Sequence, residues 1–329
     1  MTLTLGTRGS PLARFQAQAV ADLLRARADV ECNVVVIRTS GDRLAEIPLA
    51  QVGGKRLFVR ELEDALLAGE VDLAVHSSKD MPVALPAGLA IVAVLPREDP
   101  RDAVVLPVGG AVRGRAADTG VAVDELAVRL GASPRIGTSS VRRTAQLTRH
   151  FPGARFLPIR GNLDTRLRKL DAGDYDALIL ASAGLIRLEH RVRISAALPI
   201  HACVPAPGQG IIAIEARAGD EGVMARLATI DDRTSRAALD AERAVVARLG
   251  GGCQMPIGAF AEVSEDTITL VAIVLSLDGT EALRAESCGP MNKAASVGTA
   301  VAETLLAQGA GAILADVERA HETVEGLQS

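Results

Sequence analysis

The stretch LFVRELEDALLAGEVDLAVHSSKDMP (residues 57–82) carries the pattern on which the fold prediction rests. Its first half is typical of a helix, and VDLAVHS (71–77) is a short apolar run that ends in polar residues. Unbroken apolar strands are typical of sheets that helices cover on both faces. The stretch therefore predicts a helix and then a buried strand, with Ser77, Lys79 and Asp80 at the strand's carboxyl end, where active-site residues of parallel sheets commonly lie.

The same alternation of strand-like and helical runs continues along the chain. TLTLGT (2–7) precedes the helical run 11–28, and RIGTS (135–139) precedes the helical run 140–149. This order predicts an α/β protein with largely parallel sheets. After Cys253 three strand-like runs are followed by helices, which predicts a separate α+β domain, and residues 113–134 are predicted to be a solvent-facing insertion with its own short helix.

Composition limits the function classes. The chain has 329 residues, 48% hydrophobic residues and a formal net charge of −4. The length predicts two or three domains, and the charge argues against a general nucleic-acid or membrane-surface binder, so that any basic site must be local. The first residues lack the features of a secretory signal and no apolar run reaches the length of a membrane span, which predicts a cytoplasmic location.

Cys253 is set apart from the other cysteines by three preceding glycines, Gly250, Gly251 and Gly252. Glycines leave a sulfur uncovered, so Cys253 is predicted to lie on an accessible loop. Cys32, Cys203 and Cys288 are predicted to be free buried thiols. The four cysteines lack the close pairs of a zinc site, and no metal site is predicted.

Three predicted strand-to-helix turns carry arginines. They are Arg8 and Arg14 around the N-cap Ser10, Arg142 and Arg143 after the N-cap Ser139 or Ser140, and Arg160 and Arg166 around the N-cap Asn162. A cation at a helix N-terminus is unfavourable by a few tenths to about 1 kcal/mol. Because the arrangement occurs three times, it predicts an external anion, a carboxylate or phosphate, held by helix amides and guanidinium groups. The alternative is that individual arginines pair with surface acids.

The whole set of motifs resembles the porphobilinogen deaminase (hydroxymethylbilane synthase) family. The matching stretches, which span most of the chain, are GTRGSPLA, FVRELEDALLAGEVDLAVHSSKDMP, GTSSVRR, RGNLDTRL, YDALILASAGLIRL, PAPGQG and LGGGCQMPIGAF. The chain departs from the family in a longer insertion between about 108 and 134 and in Arg60, where lysine is common.

The resemblance implies two doubly wound α/β domains of the periplasmic-binding-protein type and a smaller C-terminal α+β domain that carries the cofactor cysteine. The implied boundaries are 2–106 with 211–227 for domain 1, 107–210 for domain 2, and 231–329 for domain 3. The chain would cross between the first two domains twice.

The resemblance also implies the chemistry. A dipyrromethane cofactor would be attached to Cys253 through a thioether, and four porphobilinogen molecules would be added with loss of ammonia before hydroxymethylbilane is released. Asp80 would be the catalytic residue that stabilises the cationic azafulvene; the plainer alternative is that Asp80 caps a turn or pairs with Lys79.

The implied binding residues surround the growing polypyrrole chain. Those expected at the cofactor are Ser77, Lys79, Ser140, Arg142, Arg143, Arg160 and Asn162. Those expected at the substrate are Arg8, Ser10, Arg166 and Arg187. No nucleic acid, membrane or metal partner is expected, and the protein is expected to be a monomer.

Two alternatives belong to other classes. A non-catalytic anion-binding protein would explain the arginine turns but not the glycine-rich cysteine loop. A hydrolase with a cysteine nucleophile would need a histidine base near Cys253, and the positions of the five histidines nominate none.

Overall fold

The computed structural model describes residues 2–40, 59–109, 123–252 and 255–326, which form three sheets with helices packed around them. The strands are β1 (Thr2–Thr7), β2 (Glu31–Val36), β3 (Leu73–Ser77), β4 (Leu89–Val94), β5 (Asp102–Val105), β6 (Arg135–Gly137), β7 (Arg155–Leu157), β8 (Ala177–Ala181), β9 (Ala196–Ala197), β10 (Ile212–Arg217), β11 (Ile257–Ser264), β12 (Thr267–Leu275) and β13 (Ala282–Pro290). The helices are α1 (Pro11–Ala28), α2 (Arg60–Leu67), α3 (Val123–Leu130), α4 (Val141–Leu147), α5 (Leu163–Asp171), α6 (Ser182–Arg187), α7 (Glu221–Leu227), α8 (Arg233–Leu249), α9 (Ala294–Ala307) and α10 (Ala310–Gly326).

The first sheet has the strand order β2-β1-β3-β10-β4. Helix α1 packs on it and begins where the sequence predicts, because Ser10 caps the helix by accepting a hydrogen bond from the Ala13 amide and Pro11 occupies the first turn. The buried residues Val20 and Leu24 of α1 share a core with Leu5 of β1. This packing fixes the sheet whose central strand, β3, leads to Asp80.

The second sheet has the strand order β7-β6-β8-β5-β9. The α/β class and the prediction of largely parallel sheets are confirmed, because four of the five strands in each sheet run in the same direction and one runs against them. In the first sheet β10 runs antiparallel to β3 and β4, and in the second β5 runs antiparallel to β8 and β9. The reason is that β5 and β10 are the strands with which the chain enters one sheet after leaving the other.

The chain crosses between the two sheets twice, between Val94 and Asp102 and between Ala197 and Ile212. The predicted first segment, 2–106, therefore extends too far, because β5 belongs to the second sheet. The apolar run of β5 resembles the preceding strand in composition, and only its pairing with β8 and β9 assigns it to the second sheet.

The third sheet is an antiparallel meander, β11-β12-β13, covered by α8 and α9. These helices approach closely at Gly298, where a Cβ atom would lie 2.1 Å from the carbonyl oxygen of Ala241. The predicted order of three strands followed by helices is confirmed for this part of the chain.

The predicted insertion is described only in part, because residues 110–122 lie outside the described ranges. Helix α3 is more than a solvent-facing segment: Leu126 is fully buried in a core with Ile136 and Leu147. Among the described helices, no single one is long and apolar enough to span a membrane; only the bent pair 291–307 and 310–320, taken together, meets that test.

Candidate functional site

Asp80 lies at the end of the central strand of the first sheet. Strand β3 ends at Ser77 and continues into a 3-10 turn, Ser78–Asp80. Asp80 is exposed, and within the described ranges no hydrogen bond or ion pair engages its carboxylate. The structure thus gives no support to the alternative that Asp80 caps the turn. The hydroxyl of Ser77 is engaged elsewhere, because it accepts a hydrogen bond from Nε2 of Gln16 at 2.9 Å and donates to Oε1 of Gln16 at 3.1 Å.

Lys79 lies among several cations. Its ammonium donates to the side-chain oxygen of Gln209 at 3.3 Å. Burial, with repulsion from Arg143, lowers the pKa of Lys79 to about 8, although Asp80 and Asp102 act in the opposite direction. The surroundings of Lys79 in the protein therefore disfavour its charge, and an additional anion would favour it.

Arg142 and Arg143, in the first turn of α4, have an internal counter-anion. The Asp102 carboxylate is fully buried, 2.8 Å from Nη1 of Arg142 and 2.7 Å from Nη2 of Arg143. Burial alone would raise the pKa of Asp102, but the two guanidinium groups hold it well below its usual range. The expectation of an external anion is therefore wrong as the sole explanation of this turn. Ser140, one of two predicted caps, caps α4 by accepting from the Arg143 amide.

Arg160 and Arg166 differ from that pair, because neither has a carboxylate partner in the part of the chain that is described. Arg166 donates through Nε to the Gly161 carbonyl at 2.9 Å. Burial, with repulsion from Arg143 and Arg160, lowers the pKa of Arg166 to about 10, and burial also lowers the pKa of Arg160. These two guanidinium groups retain donors for an external carboxylate.

The remaining predicted residues have separate surroundings. Asn162 is exposed and caps α5 by accepting from the Thr165 amide at 2.9 Å. Ser10 likewise caps α1, and Arg8 is half-buried two residues before it. Arg187 donates to the Gly210 carbonyl at 2.7 Å, and burial lowers its pKa to about 10. Asn162 and Ser10 therefore serve as helix caps, whereas Arg187 contacts the second crossing segment, between Ala197 and Ile212.

A cavity of about 360 Å³ connects the predicted site to the glycine loop. Lys79, Ser140 and Arg142 line it together with Gly251 and Gly252. Cys253 itself lies outside the described residues. Apolar side chains, among them Met81, Val246 and Ile257, form much of the remaining wall. Apolar walls with a few cations suit a ligand made of flat rings that carry carboxylates, so the residues present fit a dipyrromethane.

Sequence reasoning missed Asp102, Gln209 and Arg243. Arg243 lines the cavity and donates to the carbonyl of Val83 at 2.7 Å, on the loop after Asp80. No local pattern distinguishes these residues, because their partners are distant in sequence. The prediction of three buried thiols is right for Cys203 only, since Cys32 is half-buried and Cys288 is exposed.

Comparisons with known proteins agree with the motifs. Residues 3–225 match the family model of the porphobilinogen deaminase dipyrromethane cofactor binding domain, and residues 237–307 match that of the porphobilinogen deaminase C-terminal domain. Porphobilinogen deaminase of Desulforudis audaxviator is 48% identical over 96% of this chain and 97% of its own. That of Syntrophotalea carbinolica is 43% identical over 96% of both chains.

Among solved structures, the periplasmic VFT2 domain of BvgS from Bordetella pertussis has a TM-score of 0.38 and 17% identity, covering 70% of this chain and 86% of that one. A likeness at this level carries no argument about function. The two family models and the full-length relatives decide against the anion-binding and hydrolase alternatives. The chain therefore belongs to the porphobilinogen deaminase family.

Proposed function

We propose that Asp80 is the catalytic carboxylate of this enzyme and that the cations around the cavity hold the acidic side chains of the pyrroles. The reaction is that of hydroxymethylbilane synthase, in which four porphobilinogen molecules are joined head to tail with loss of ammonia. When bound, the dipyrromethane supplies the pyrrole carbon to which the first porphobilinogen is joined. The observation that carries the proposal is the exposed Asp80 carboxylate near Lys79 and Arg166, two cations whose charge burial disfavours and which form no ion pair with a carboxylate in the described ranges.

Asp80 has the position and freedom that the reaction requires. Loss of ammonia from porphobilinogen leaves a positively charged group, and a fixed carboxylate stabilises charge that develops during reaction. Its oxygens have no internal donor in the described ranges, so they can accept hydrogen bonds from pyrrole N–H groups. The same carboxylate can transfer protons during each addition.

The cations divide into two groups. We assign Lys79, Arg142 and Arg160 to the carboxylates of the cofactor; Ser140, Ser77 and Asn162 support the turns from which these cations extend. Arg143 acts beside Arg142 through the charge that it contributes. We assign Arg8, Ser10, Arg166 and Arg187 to the incoming substrate and the growing chain. Guanidinium groups suit this task because they bind carboxylates through paired hydrogen bonds.

The organisation of the enzyme is part of the proposal. We assign the first and second sheets to two domains, with the first crossing between Val94 and Asp102, and the third sheet to a domain that presents Cys253. The family membership supports a monomer in the cytoplasm that needs no metal, nucleic acid or membrane. Light scattering of the purified protein in EDTA, with an activity assay on the same sample, tests the monomer and the independence from metal.

The mass of the intact protein tests the cofactor assignment. Native protein should exceed the mass of its sequence by about two pyrrole units, and Cys253→Ala should lack this addition. Cys288→Ala is the matched control, because Cys288 is an exposed thiol in the same part of the chain. Active protein of unmodified mass, or an addition that survives in Cys253→Ala, would contradict the assignment.

A further inference from the structure

Asp102 is the residue on which the cations of the site converge. It is the first residue of β5, directly after the first crossing, and it is fully buried. Besides the two guanidinium groups, the Gln209 amide donates to its Oδ1 at 3.0 Å and the Cys203 thiol donates to its Oδ2 at 3.3 Å. Asp102 is thus saturated inside the protein and has no free oxygen to offer to a ligand.

The two arginines differ in how completely they are engaged. All three guanidinium nitrogens of Arg143 have internal acceptors, since Nε and Nη2 donate to Asp102 and Nη1 donates to the Ile179 carbonyl at 3.0 Å. Arg142 is held through Nη1, which contacts Asp102 and donates to the Val204 carbonyl at 2.6 Å. In the described ranges its other nitrogens have no hydrogen bond to protein, and Arg142 lines the cavity.

Asp102 is also connected to Lys79, which lines the same cavity as Arg142. Gln209 donates to Asp102 through its Nε2 atom and accepts from Lys79 through its Oε1 atom. Gln209 lies in the second crossing segment, and Asp102 ends the first. The chain of contacts Lys79, Gln209, Asp102 and Arg142 therefore runs through both crossings and joins cations that extend from different sheets.

We infer that Asp102 is a positioning residue that holds Arg142, and through Gln209 also Lys79, ready to bind the pyrrole carboxylates. The inference rests on the proposed function of these two cations. One carboxylate balances only one of the two guanidinium charges, so the network retains a positive charge for the ligand. A cation held in place before binding loses less conformational entropy when the ligand arrives.

The alternative is that Asp102 only neutralises two buried arginines. In that case its removal destabilises the protein equally with and without cofactor. If Asp102 positions the binding cations, its removal also weakens the interaction with the cofactor. The two roles therefore differ in the coupling between Asp102 and the cofactor, which is measurable as the difference in Tm between the loaded and the cofactor-free protein.

The experiment compares wild type with Asp102→Asn, each prepared with the cofactor and without it in cells that lack porphobilinogen. We expect the Tm gain from cofactor loading to fall by at least half in Asp102→Asn. We also expect cofactor-free Asp102→Asn to load at least tenfold more slowly when porphobilinogen is added, as followed by intact mass. Asp176→Asn is the control, because Asp176 forms an exposed pair with Arg135 in the same sheet. An unchanged or larger Tm gain would overturn the inference.

A second variant covers the case in which Asp102→Asn does not fold. Asp102→Asn with Arg143→Gln restores the balance of buried charge, and it should still show a smaller Tm gain than Arg143→Gln alone; equal gains would overturn the inference. The loading of wild type separates the proposed function from the role of Asp102. If wild type does not load at Cys253, the proposed function fails, whereas normal loading of both wild type and Asp102→Asn defeats only the role of Asp102.

Discussion

Asp80 and Asp102 show how two aspartates in neighbouring sheets serve different purposes. Asp80 is exposed at the end of β3 with no hydrogen bond in the described ranges, whereas Asp102 is fully buried at the start of β5 and contacts two arginines. A carboxylate whose oxygens already accept hydrogen bonds within the protein holds its neighbours in place, and it has no free oxygen with which to bind a cation that forms during the reaction. An open carboxylate contributes little to the fold and can stabilise a cation that appears during reaction.

Glu242 on α8 belongs to the same class as Asp102. Its side chain is fully buried and accepts from Nη1 of Arg97 at 2.6 Å, from the Gly208 amide at 2.6 Å and from the Ala261 amide at 2.7 Å. It thereby attaches both crossing segments to the third sheet. If the comparison is right, variants of the buried carboxylates Asp102 and Glu242 mainly lower stability, whereas variants of Asp80 mainly lower turnover.

The largest expected effect is on stability, in Glu242→Gln. Glutamine removes the charge opposite Arg97 and turns an amide donor toward backbone N–H groups, so we expect the free energy of unfolding to fall by about 3 to 5 kcal/mol. Glu303→Gln is the control. Glu303, on α9, forms an exposed ion pair with Arg248 of α8, the helix that carries Glu242, so this variant should change the free energy of unfolding by less than about 1 kcal/mol. Parallel denaturant titrations measure both, and similar losses would contradict the distinction.

The next effect is on turnover, in Asp80→Asn. The variant keeps the shape of the side chain and removes its charge, so we expect at least ~100-fold slower turnover, the lower end of what a positioned acid or base contributes. Because Asp80 is exposed, its Tm should match that of wild type.

Single-turnover rates on folded, cofactor-loaded samples test this expectation. Asp266→Asn, which changes another exposed aspartate in the turn between β11 and β12, should react at the wild-type rate. An Asp80→Asn enzyme within a few-fold of wild type, or one that loses stability instead, would place Asp80 in the same class as Asp102.

The parts of this structure that sequence predicts are those set by local chemistry. Helix α1 runs from Pro11 to Ala28 as predicted, because an N-cap serine, a proline in the first turn and an apolar face all lie within that segment. Asn162 and Ser140 cap their helices for the same reason. The position of Asp80 at a strand end followed from the apolar run before it.

The parts that sequence does not predict depend on pairing between distant residues. Asp102 is 41 positions from Arg143 and 107 from Gln209, and nothing in the short run DAVV marks it as a counter-anion. For the same reason the arginine turns looked alike in sequence, although Arg143 is internally paired and Arg160 has no carboxylate partner in the described ranges. The antiparallel entry of β5 and β10 is likewise a property of the crossings.

The smallest expected effect concerns Lys79, whose pKa both aspartates act to raise. In cofactor-free protein its pKa is about 8, below the ordinary value of 10.5, because burial and Arg143 disfavour the charge. The folded protein therefore carries a destabilising charge below pH 8. Between pH 8 and 10.5 the unfolded chain binds more protons than the folded one, so this contribution to stability becomes more favourable as pH rises.

Lys79→Met should reveal this penalty as a difference from wild type. Without cofactor the variant should be more stable at pH 7, by about 1 kcal/mol after allowance for the water that reaches a half-buried ammonium, and the difference should shrink between pH 8 and 10. With cofactor the order should reverse, because bound carboxylates favour the lysine charge and the methionine cannot replace it. Tm measurements of both proteins across this pH range, loaded and unloaded, supply the test. Parallel Tm curves without cofactor would show that Lys79 carries no such penalty, and an unchanged order with cofactor would remove Lys79 from the groups that hold its carboxylates.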